Sequence, residues 1–393
     1  MRRHISWEIA GGCTTRFVAA GSRARPVDGV LIPGLVNAHS HLDLAGSPAV
    51  PSRGSFPEWL RSVGALRASG RNIVDAASQE AQSLAQCGVV AVGDIDGSQG
   101  EGTRGRRLAK LGGRSYLEII GVEREAARQR LASVMRTVDT LGCAGHELGL
   151  SPHAPYSVHE DVLPEIVRAG EVRGLPLAMH IAESADETRY LMHGDGPFAG
   201  FLESIGQGKP FARPPGIRPI EYVERAGLLA SGGAVIHGND LDDDDIDRLA
   251  RHQSSVVYCH GTHRHFDRPP HRLLELDGVG VDVAFGTDSA ASNQEVDLFS
   301  ELVRLAADRP DVPPLLILKG ATHGGRRALK LPEGPATWAV GSVADGCVLG
   351  PCPEDLESMG SDALASWAWS GEASVLFTVH AGVVLEPGGA SSE

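Results

Sequence analysis

The chain has 393 residues, and its 50 acidic residues outnumber its 36 basic ones, which gives a formal net charge of −14. This length is enough for one large barrel with a small additional domain, or for two or three ordinary domains. The acidic balance argues against a nucleic-acid-binding surface, and no apolar run is long enough to span a bilayer. We therefore expect the partner to be a small molecule, with neither nucleic acid nor membrane as a ligand.

The N-terminus and the cysteines bear on the cellular compartment. The first residues, MRRHISWEIAGGC, contain two arginines but no apolar core after them, so they do not resemble a signal peptide. The six cysteines are scattered and indicate free thiols rather than a disulfide framework. Both features predict a cytoplasmic protein.

Short apolar runs alternate with amphipathic stretches along most of the chain. Near-continuous apolar runs are typical of parallel strands that are covered on both faces. They predict strands at 35–41, 89–94, 115–121, 148–153, 177–182, 234–238, 255–259 and 281–286. The segments 73–86, 123–141 and 160–173 predict helices between them. Eight strands with intervening helices indicate an α/β fold, a (β/α)8 TIM barrel; an open doubly wound sheet is disfavoured because no glycine-rich turn follows the first strand.

The two ends of the chain have a different pattern from the middle. Residues 1–32 and 336–393 are rich in Gly, Val and Ala, carry short β-like runs such as 374–379 and 382–385, and lack helical periodicity. They predict a small β-sandwich domain built from both termini, with the barrel occupying 33–335.

Two segments of the barrel region have unusual composition. Residues 194–219 are rich in Gly and Pro and predict a long loop above the barrel. Four acids in a row, at 242–245, favour a solvated helix N-terminus over a cation site, because acids suit the positive end of the helix dipole.

Histidines and acids recur where the predicted strands end. The first strand ends in PGLVNAHSHLDL, in which His39 and His41 are two residues apart and so face the same side of the strand. Later strands end in SPHAPYS, MHIAES, VIHGND and FGTDSAASN, which contribute His153, His180, Glu183, His237 and Asp288. One such histidine is usually structural. Five at one rim, joined by two acids, predict a metal-assisted active site.

The residue types at this rim suit one kind of chemistry. Three neutral imidazoles and one carboxylate form a mixed nitrogen and oxygen site for Zn²⁺, Fe²⁺ or Mn²⁺. Such an ion lowers the pKa of bound water to about 7, so that hydroxide is available as the nucleophile at neutral pH. Glu183 lies just beyond the strand that carries His180, where it can reach both water and substrate as a proton carrier.

These motifs resemble the amidohydrolase superfamily, and SPHAPYS, HIAES and GTDSAASN are similar to its cytosolic deaminase and chlorohydrolase branch. The resemblance covers nearly the whole chain. It implies that one divalent ion, most often zinc, is bound by His39, His41, His180 and Asp288. It also implies that Glu183 shuttles a proton, that His237 orients the attacking water and that Asp288 relays a proton to the leaving amine. None of the four lysines lies near the end of the fourth strand, so the bridging carboxylated lysine of binuclear members is missing and a single ion is implied.

The predicted substrate contacts are less sharply defined. The resemblance places His153 against the substrate. Adenosine-type members of the branch often carry Phe-Glu-Glu-Trp after the first strand, whereas this chain has Phe-Pro-Glu-Trp, which leaves Glu58 to take the ribose role shifted by one position. Trp59 either stacks on a heterocycle or faces the core. His260, His263 and His265 form a loose cluster that favours a pocket wall over a second metal site, with His263 lining the pocket.

The sequence therefore predicts a mononuclear hydrolase that removes an amino group from a heterocycle or nucleoside. Its patterning resembles the aminodeoxyfutalosine deaminases, and an adenosine-like substrate is the next expectation. Two alternatives stay open: hydrolysis of another C–N or C–Cl bond, as in a cyclic amide or halo-triazine, and a catalytically dead binding protein on the same barrel. A homodimer is an option that comes from the resemblance alone.

Overall fold

The computed structural model describes residues 5–19, 26–51, 55–142, 147–206, 208–293, 296–331, 340–356 and 358–387. The strands are β1 Ile5–Ala10, β2 Cys13–Ala19, β3 Val30–Pro33, β4 Leu35–Ser40, β5 Val89–Asp96, β6 Gly112–Ile119, β7 Leu148–Pro152, β8 Ala178–Ile181, β9 Ala234–His237, β10 Ser255–Tyr258, β11 Asp282–Phe285, β12 Gly346–Gly350, β13 Ser374–His380 and β14 Val383–Leu385.

The helices cover the outside of the barrel and its rim. They are α1 Phe56–Arg67, α2 Ile73–Gln86, α3 Glu101–Leu108, α4 Arg124–Leu141, α5 Leu163–Arg173, α6 Ala185–His193, α7 Pro197–Ser204, α8 Pro219–Arg225, α9 Asp243–Arg251, α10 His260–His265, α11 Leu273–Gly278, α12 Leu298–Asp308, α13 Pro314–Lys319, α14 Gly325–Ala328 and α15 Ser361–Ala368. A 3-10 turn, Leu42–Leu44, follows β4, and a π-helical turn, Gly320–Gly324, joins α13 to α14. No helix among the described residues is both long and apolar enough to cross a bilayer.

Strands β4 to β11 form the predicted parallel barrel. They pair in chain order within two four-stranded sheets, β4 to β7 and β8 to β11. A parallel bridge between Leu150 and Leu177 joins the two sheets on one side. Six of the eight strands are buried at every residue, which explains why the sequence shows continuous apolar runs rather than alternation. The (β/α)8 prediction is confirmed.

The barrel closes at a seam between the first strand and the end of the last one. Ser40 bridges Asp288, and the Asp288 N–H donates to the His39 carbonyl oxygen at 3.0 Å. The buried amide of Asn37 makes two more hydrogen bonds across the seam. Its Nδ2 donates to Thr287 Oγ1 at 2.8 Å and its Oδ1 accepts from the Thr287 N–H at 3.1 Å. Gly286 permits this approach, because a Cβ there would lie 2.8 Å from His39 atoms.

Both chain ends contribute to an antiparallel sheet beside the barrel, in the order β14, β13, β12, β3. Strand β3 pairs with β12 so that Ile32 lies opposite Cys347. The β1–β2 hairpin is attached by a bridge between Cys13 and Val343. The small terminal β unit of the predicted fold is thus present, whereas the proposed boundary at 335/336 falls outside the described residues.

Two local expectations are wrong. Residues 194–219 are not a plain loop, because α7 begins at Pro197, a favourable first helical position, and buries Phe198 and Leu202, which lie one turn apart. The C-terminal segment also contains a helix, α15, whose inner face buries Ala365, Trp367 and Ala368.

The acidic run at 242–245 does begin a helix, as predicted. Asp242 caps α9, its side chain accepting from the Asp245 N–H at 2.9 Å, and Asp245 returns a bond from its carboxylate to the Asp242 N–H at 3.1 Å. The helix N-terminus thus accounts for Asp242 and Asp245.

Candidate active site

The carboxyl ends of the barrel strands bring most of the predicted site residues together. The ring nitrogens of His39, His41 and His180 lie within 4.8 Å of one another, and the same limit holds for ligand atoms of a second group, His39, His237 and Asp288. All five side chains are buried. His39, on β4, and His41, the residue that follows the end of β4, direct their rings to the same centre, as their two-residue spacing predicted, and His39 belongs to both groups.

The distances within this group fit a tetrahedral ion. Two ligands at about 2.1 Å from a tetrahedral Zn²⁺ lie about 3.4 Å apart. His41 Nε2 lies 3.3 Å from His180 Nε2, and Asp288 Oδ1 lies 3.3 Å from His39 Nε2 and 3.6 Å from His41 Nε2. Both ring nitrogens of the buried His39 lack a hydrogen-bond partner in the described part of the chain. The residues therefore fit a divalent metal ion.

Outer contacts orient two of these side chains. His180 Nδ1 donates to the His153 carbonyl oxygen at 3.0 Å, which leaves Nε2 with its lone pair toward the group. Asp288 Oδ2 accepts from the hydroxyls of Thr262 at 2.9 Å and Ser292 at 3.1 Å, while its Oδ1 faces the histidines. Burial alone would raise the pKa of Asp288, but the histidines, His39 foremost, hold it well below its usual range.

Glu183 lies on a tightly held turn after β8. The carboxylate of the fully buried Glu187 accepts from the N–H groups of Ala182 at 3.0 Å and Glu183 at 2.9 Å, and Asn239 Nδ2 donates to the Glu183 carbonyl oxygen at 3.1 Å. These bonds direct the Glu183 carboxylate to a point 3.7 Å from His237 Nε2. Burial raises the pKa of Glu183 well above its usual range, and the negative charge of Asp288 adds to this.

Three residues at the strand ends have left-handed backbone conformations. They are Ala182, His237 and Asp288, with φ of 53°, 74° and 59°. Non-glycine residues adopt such angles rarely, and they do so mainly where the surrounding structure enforces them. The His237 carbonyl oxygen is held by His271 Nε2 at 2.9 Å. This backbone geometry turns the side chains of His237 and Asp288 from the strand direction toward the shared centre.

His153 lies at the edge of the cluster above a buried ionic network. Its Nδ1 is 2.7 Å from the Ser157 hydroxyl and its Nε2 is 3.9 Å from Glu118 Oε1. Burial lowers the pKa of His153 to about 3, so the ring is neutral at physiological pH. Arg67 joins Glu118, at 2.8 Å, to Asp43, at 3.0 Å, and also lies 3.3 Å from His41 Nδ1.

The other predicted substrate residues lie in structural contacts. Trp59 is buried, its ring lies against Phe56 and Phe266, and its Nε1 donates to the Val50 carbonyl oxygen at 3.2 Å. Glu58 is exposed and its carboxylate accepts from the Ser55 N–H at 2.8 Å in the cap of α1. Their roles as substrate contacts stay predictions.

The second histidine cluster does not converge on one point. His260 lies 2.8 Å from Asp308, His263 lies 3.2 Å from Asn239 Oδ1, and His265 packs edge-on against Phe266. Among the described residues these three do not form a metal-binding group. His263 reaches the site indirectly, because Asn239 also holds Glu183.

Comparison with known proteins identifies the family. The family model that matches residues 30–383 is that of the amidohydrolase family. The chain belongs to the amidohydrolase family. This amidohydrolase is 28% identical over 311 residues, 76% of its length and 73% of the relative's, to the aminodeoxyfutalosine deaminase of Deinococcus radiodurans.

Two solved structures share the fold of this amidohydrolase. The aminofutalosine deaminase of Helicobacter pylori, bound to methylthio-coformycin, superposes with a TM-score of 0.79 at 18% identity, over 95% of this chain and 93% of that one. The atrazine chlorohydrolase of Arthrobacter aurescens, bound to zinc, gives a TM-score of 0.78 at 16% identity, over 97% and 90%.

Sequence reasoning missed the residues that support the site of this amidohydrolase. They are Asn37 at the seam, Glu187 behind Glu183, and the Arg67, Asp43 and Glu118 network. The sequence offered one indication of Asn37 and Glu118, since each is a polar residue within or at the end of an apolar strand. Arg67 and Glu187 are on helices and gave none.

Proposed function

We propose that this amidohydrolase deaminates an amino-substituted heterocycle or nucleoside, with one zinc ion held by His39, His41, His180 and Asp288. The observation that carries the proposal is the Glu183 carboxylate 3.7 Å from His237 Nε2, beside a buried nitrogen and oxygen ligand group with tetrahedral spacing. The ion supplies the lowered water pKa that makes a nucleophile available near neutral pH. The 28% identity to a deaminase supports a C–N bond as the target.

In the proposed mechanism, each proton transfer is carried out by a particular side chain of the site. Glu183 accepts a proton from the attacking water and donates it to the ring nitrogen beside the amino-bearing carbon. His237 Nε2 orients the attacking oxygen and stabilises the tetrahedral adduct. Asp288 takes the proton from the hydroxyl of the adduct and passes it to the leaving amine as the C–N bond breaks, so that ammonia departs and a ring carbonyl remains. His153, at the edge of the cluster, contacts the substrate in this proposal.

The test is ammonia release by zinc-loaded protein from aminodeoxyfutalosine, adenosine, methylthioadenosine, S-adenosylhomocysteine, guanine, cytosine and melamine. Release from at least one, lost in Glu183→Gln and retained in Glu203→Gln, is the expected result. Glu203 is a fair control because it is an exposed glutamate on α7. Protein that holds one zinc ion per chain but releases ammonia from none of these compounds would refute the deaminase assignment.

Hydrolysis of another C–N or C–Cl bond is the second candidate. It is supported by the capping contact of Glu58 with Ser55, because a carboxylate held in a helix cap is less available to a ribose hydroxyl. Halo-triazines and cyclic amides are then the compounds to test, and chloride or a ring-opened acid in place of ammonia would establish this reading.

We extend the proposal to the organisation and setting of the protein. The five described cysteines are unpaired, which supports a cytoplasmic location. A barrel unit at 33–335 and a terminal β unit from 1–32 and 336–393 are consistent with the sheet order. Limited proteolysis between residues 332 and 339 tests the second boundary, and sedimentation tests the homodimer.

A further inference from the structure

Among the described residues, the contacts of Arg268 do not include a partner for its positive charge. Arg268 follows α10, and its guanidinium carbon lies 5.1 Å from the ring centre of Phe56 and 5.0 Å from that of Phe266. Its Nε and Nη2 are buried and have no hydrogen-bond partner in the described part of the chain. Within the same part, Arg268 also forms no ion pair. Aromatic faces attract a cation but accept no strong hydrogen bonds from its N–H groups, so these donors are unsatisfied.

The segment that carries Arg268 is linked to the catalytic turn. The Arg268 N–H donates to the His263 carbonyl oxygen at 3.2 Å, His263 Nδ1 lies 3.2 Å from Asn239 Oδ1, and Asn239 Nδ2 donates to the Glu183 carbonyl oxygen at 3.1 Å. The guanidinium is near enough to act on the site by charge: burial raises the pKa of Glu183, and Arg268 opposes that rise. Arg268 therefore belongs to the surroundings of the reacting groups.

We propose that Arg268 is a specificity-determining residue that binds an anionic group, a carboxylate or a phosphate, on the substrate. The inference rests on the proposed function, since the anion is carried by the heterocycle or nucleoside being deaminated. A guanidinium presents parallel N–H donors that match two oxygens of a carboxylate or phosphate. Such a ligand satisfies both orphaned donors, and Phe56 and Phe266 exclude water from the pair. In this proposal the anion selects the substrate and takes no part in proton transfer.

The experiment compares neutral and anionic substrates that share the adenosine group. Zinc-loaded wild type, Arg268→Gln, Arg268→Lys and the control Arg264→Gln are assayed for ammonia release from 5′-methylthioadenosine, 5′-(carboxymethylthio)adenosine and adenosine 5′-monophosphate. Arg264 is a matched control because it is on α10, is exposed and pairs with Asp308. Binding of the same compounds is measured by calorimetry, and folding by circular dichroism.

The wild type is expected to prefer one anionic compound to the neutral one by about 10- to 100-fold in kcat/KM, the range of a charge-assisted pair. Whether the carboxylate or the phosphate is preferred identifies the group. Arg268→Gln should abolish that preference, and Arg268→Lys should restore part of it. Arg264→Gln should match the wild type.

Several outcomes would overturn the inference. An equal loss with all three substrates, together with a shifted pH profile, would show that Arg268 only tunes Glu183. An unchanged preference in Arg268→Gln, or calorimetric binding that is equal or undetectable for charged and neutral compounds, would also refute it. Preferential binding of the anion, lost in Arg268→Gln, without ammonia release from any of the three compounds would keep the anion site and refute deamination of adenosine-type substrates.

Discussion

Replacing Asn37 by alanine should weaken both the barrel seam and the metal site. Asn37 is fully buried and makes two hydrogen bonds to Thr287. The substitution leaves the buried Thr287 N–H unpaired, at about 1–3 kcal/mol, and removes the bond to the Thr287 hydroxyl, worth about 1 kcal/mol. We expect the free energy of unfolding to fall by about 2–4 kcal/mol.

The loss should extend to zinc, because Asn37 and Thr287 lie close in sequence to His39 and Asp288. Outer-shell substitutions of this kind weaken metal binding by about 10- to 100-fold. Urea unfolding of the metal-free protein and zinc titration against a chromophoric chelator measure the two effects. Asn72→Ala is the control, because Asn72 is an exposed cap of α2 that accepts from the Asp75 N–H. Wild-type stability and zinc affinity in Asn37→Ala would show that the seam does not depend on this amide.

Three further predictions concern other parts of the site. Glu187→Gln should lower kcat/KM by about 100-fold with little change in zinc content. The carboxylate of Glu187 now accepts two N–H groups, whereas a glutamine offers one acceptor, so Glu183 is displaced. Activity equal to that of Glu203→Gln would contradict this prediction. Burial raises the pKa of Glu301 from 4.5 to about 7, so the folded state retains a proton and the free energy of unfolding should decline by up to about 3 kcal/mol as pH rises from 4.5 to 7. That decline should shrink in Glu301→Gln, and an identical slope in urea titrations at several pH values would refute the assignment. Removing zinc with a chelator should lower the melting temperature. Zinc at 100 times its dissociation constant should restore about 2.7 kcal/mol of the free energy of unfolding. A melting temperature independent of zinc would argue against the site.

The sequence was informative wherever a local pattern determines the structure. The eight barrel strands were found because burial on both faces leaves a continuous apolar run. Helix α2 was predicted at 73–86, the bounds that the structure shows, because its apolar stripe and its cap are both local. His39 and His41 were paired because two-residue spacing fixes their common side on a strand.

The features of the fold and site that the sequence did not predict depend on contacts between distant parts of the chain. Asn37 and Thr287 are 250 residues apart, and nothing near either one indicates the other. Helix α7 was missed because Gly and Pro punctuate its surroundings, although its apolar spacing was present. The orphaned donors of Arg268 are visible only once Phe56 and Phe266, from different segments, are seen around them.

The left-handed backbone of His237 and Asp288 has a consequence for how this protein responds to selection. Glycine adopts such angles freely, whereas other residues give up about 1 kcal/mol or more at each position. A screen that rewards only the heat resistance of the zinc-free protein should therefore favour glycine at these two positions, and the selected variants would be more stable but inactive. Polar side chains at positions where the backbone conformation favours glycine therefore indicate function. This indication comes from one structure and does not depend on comparing sequences.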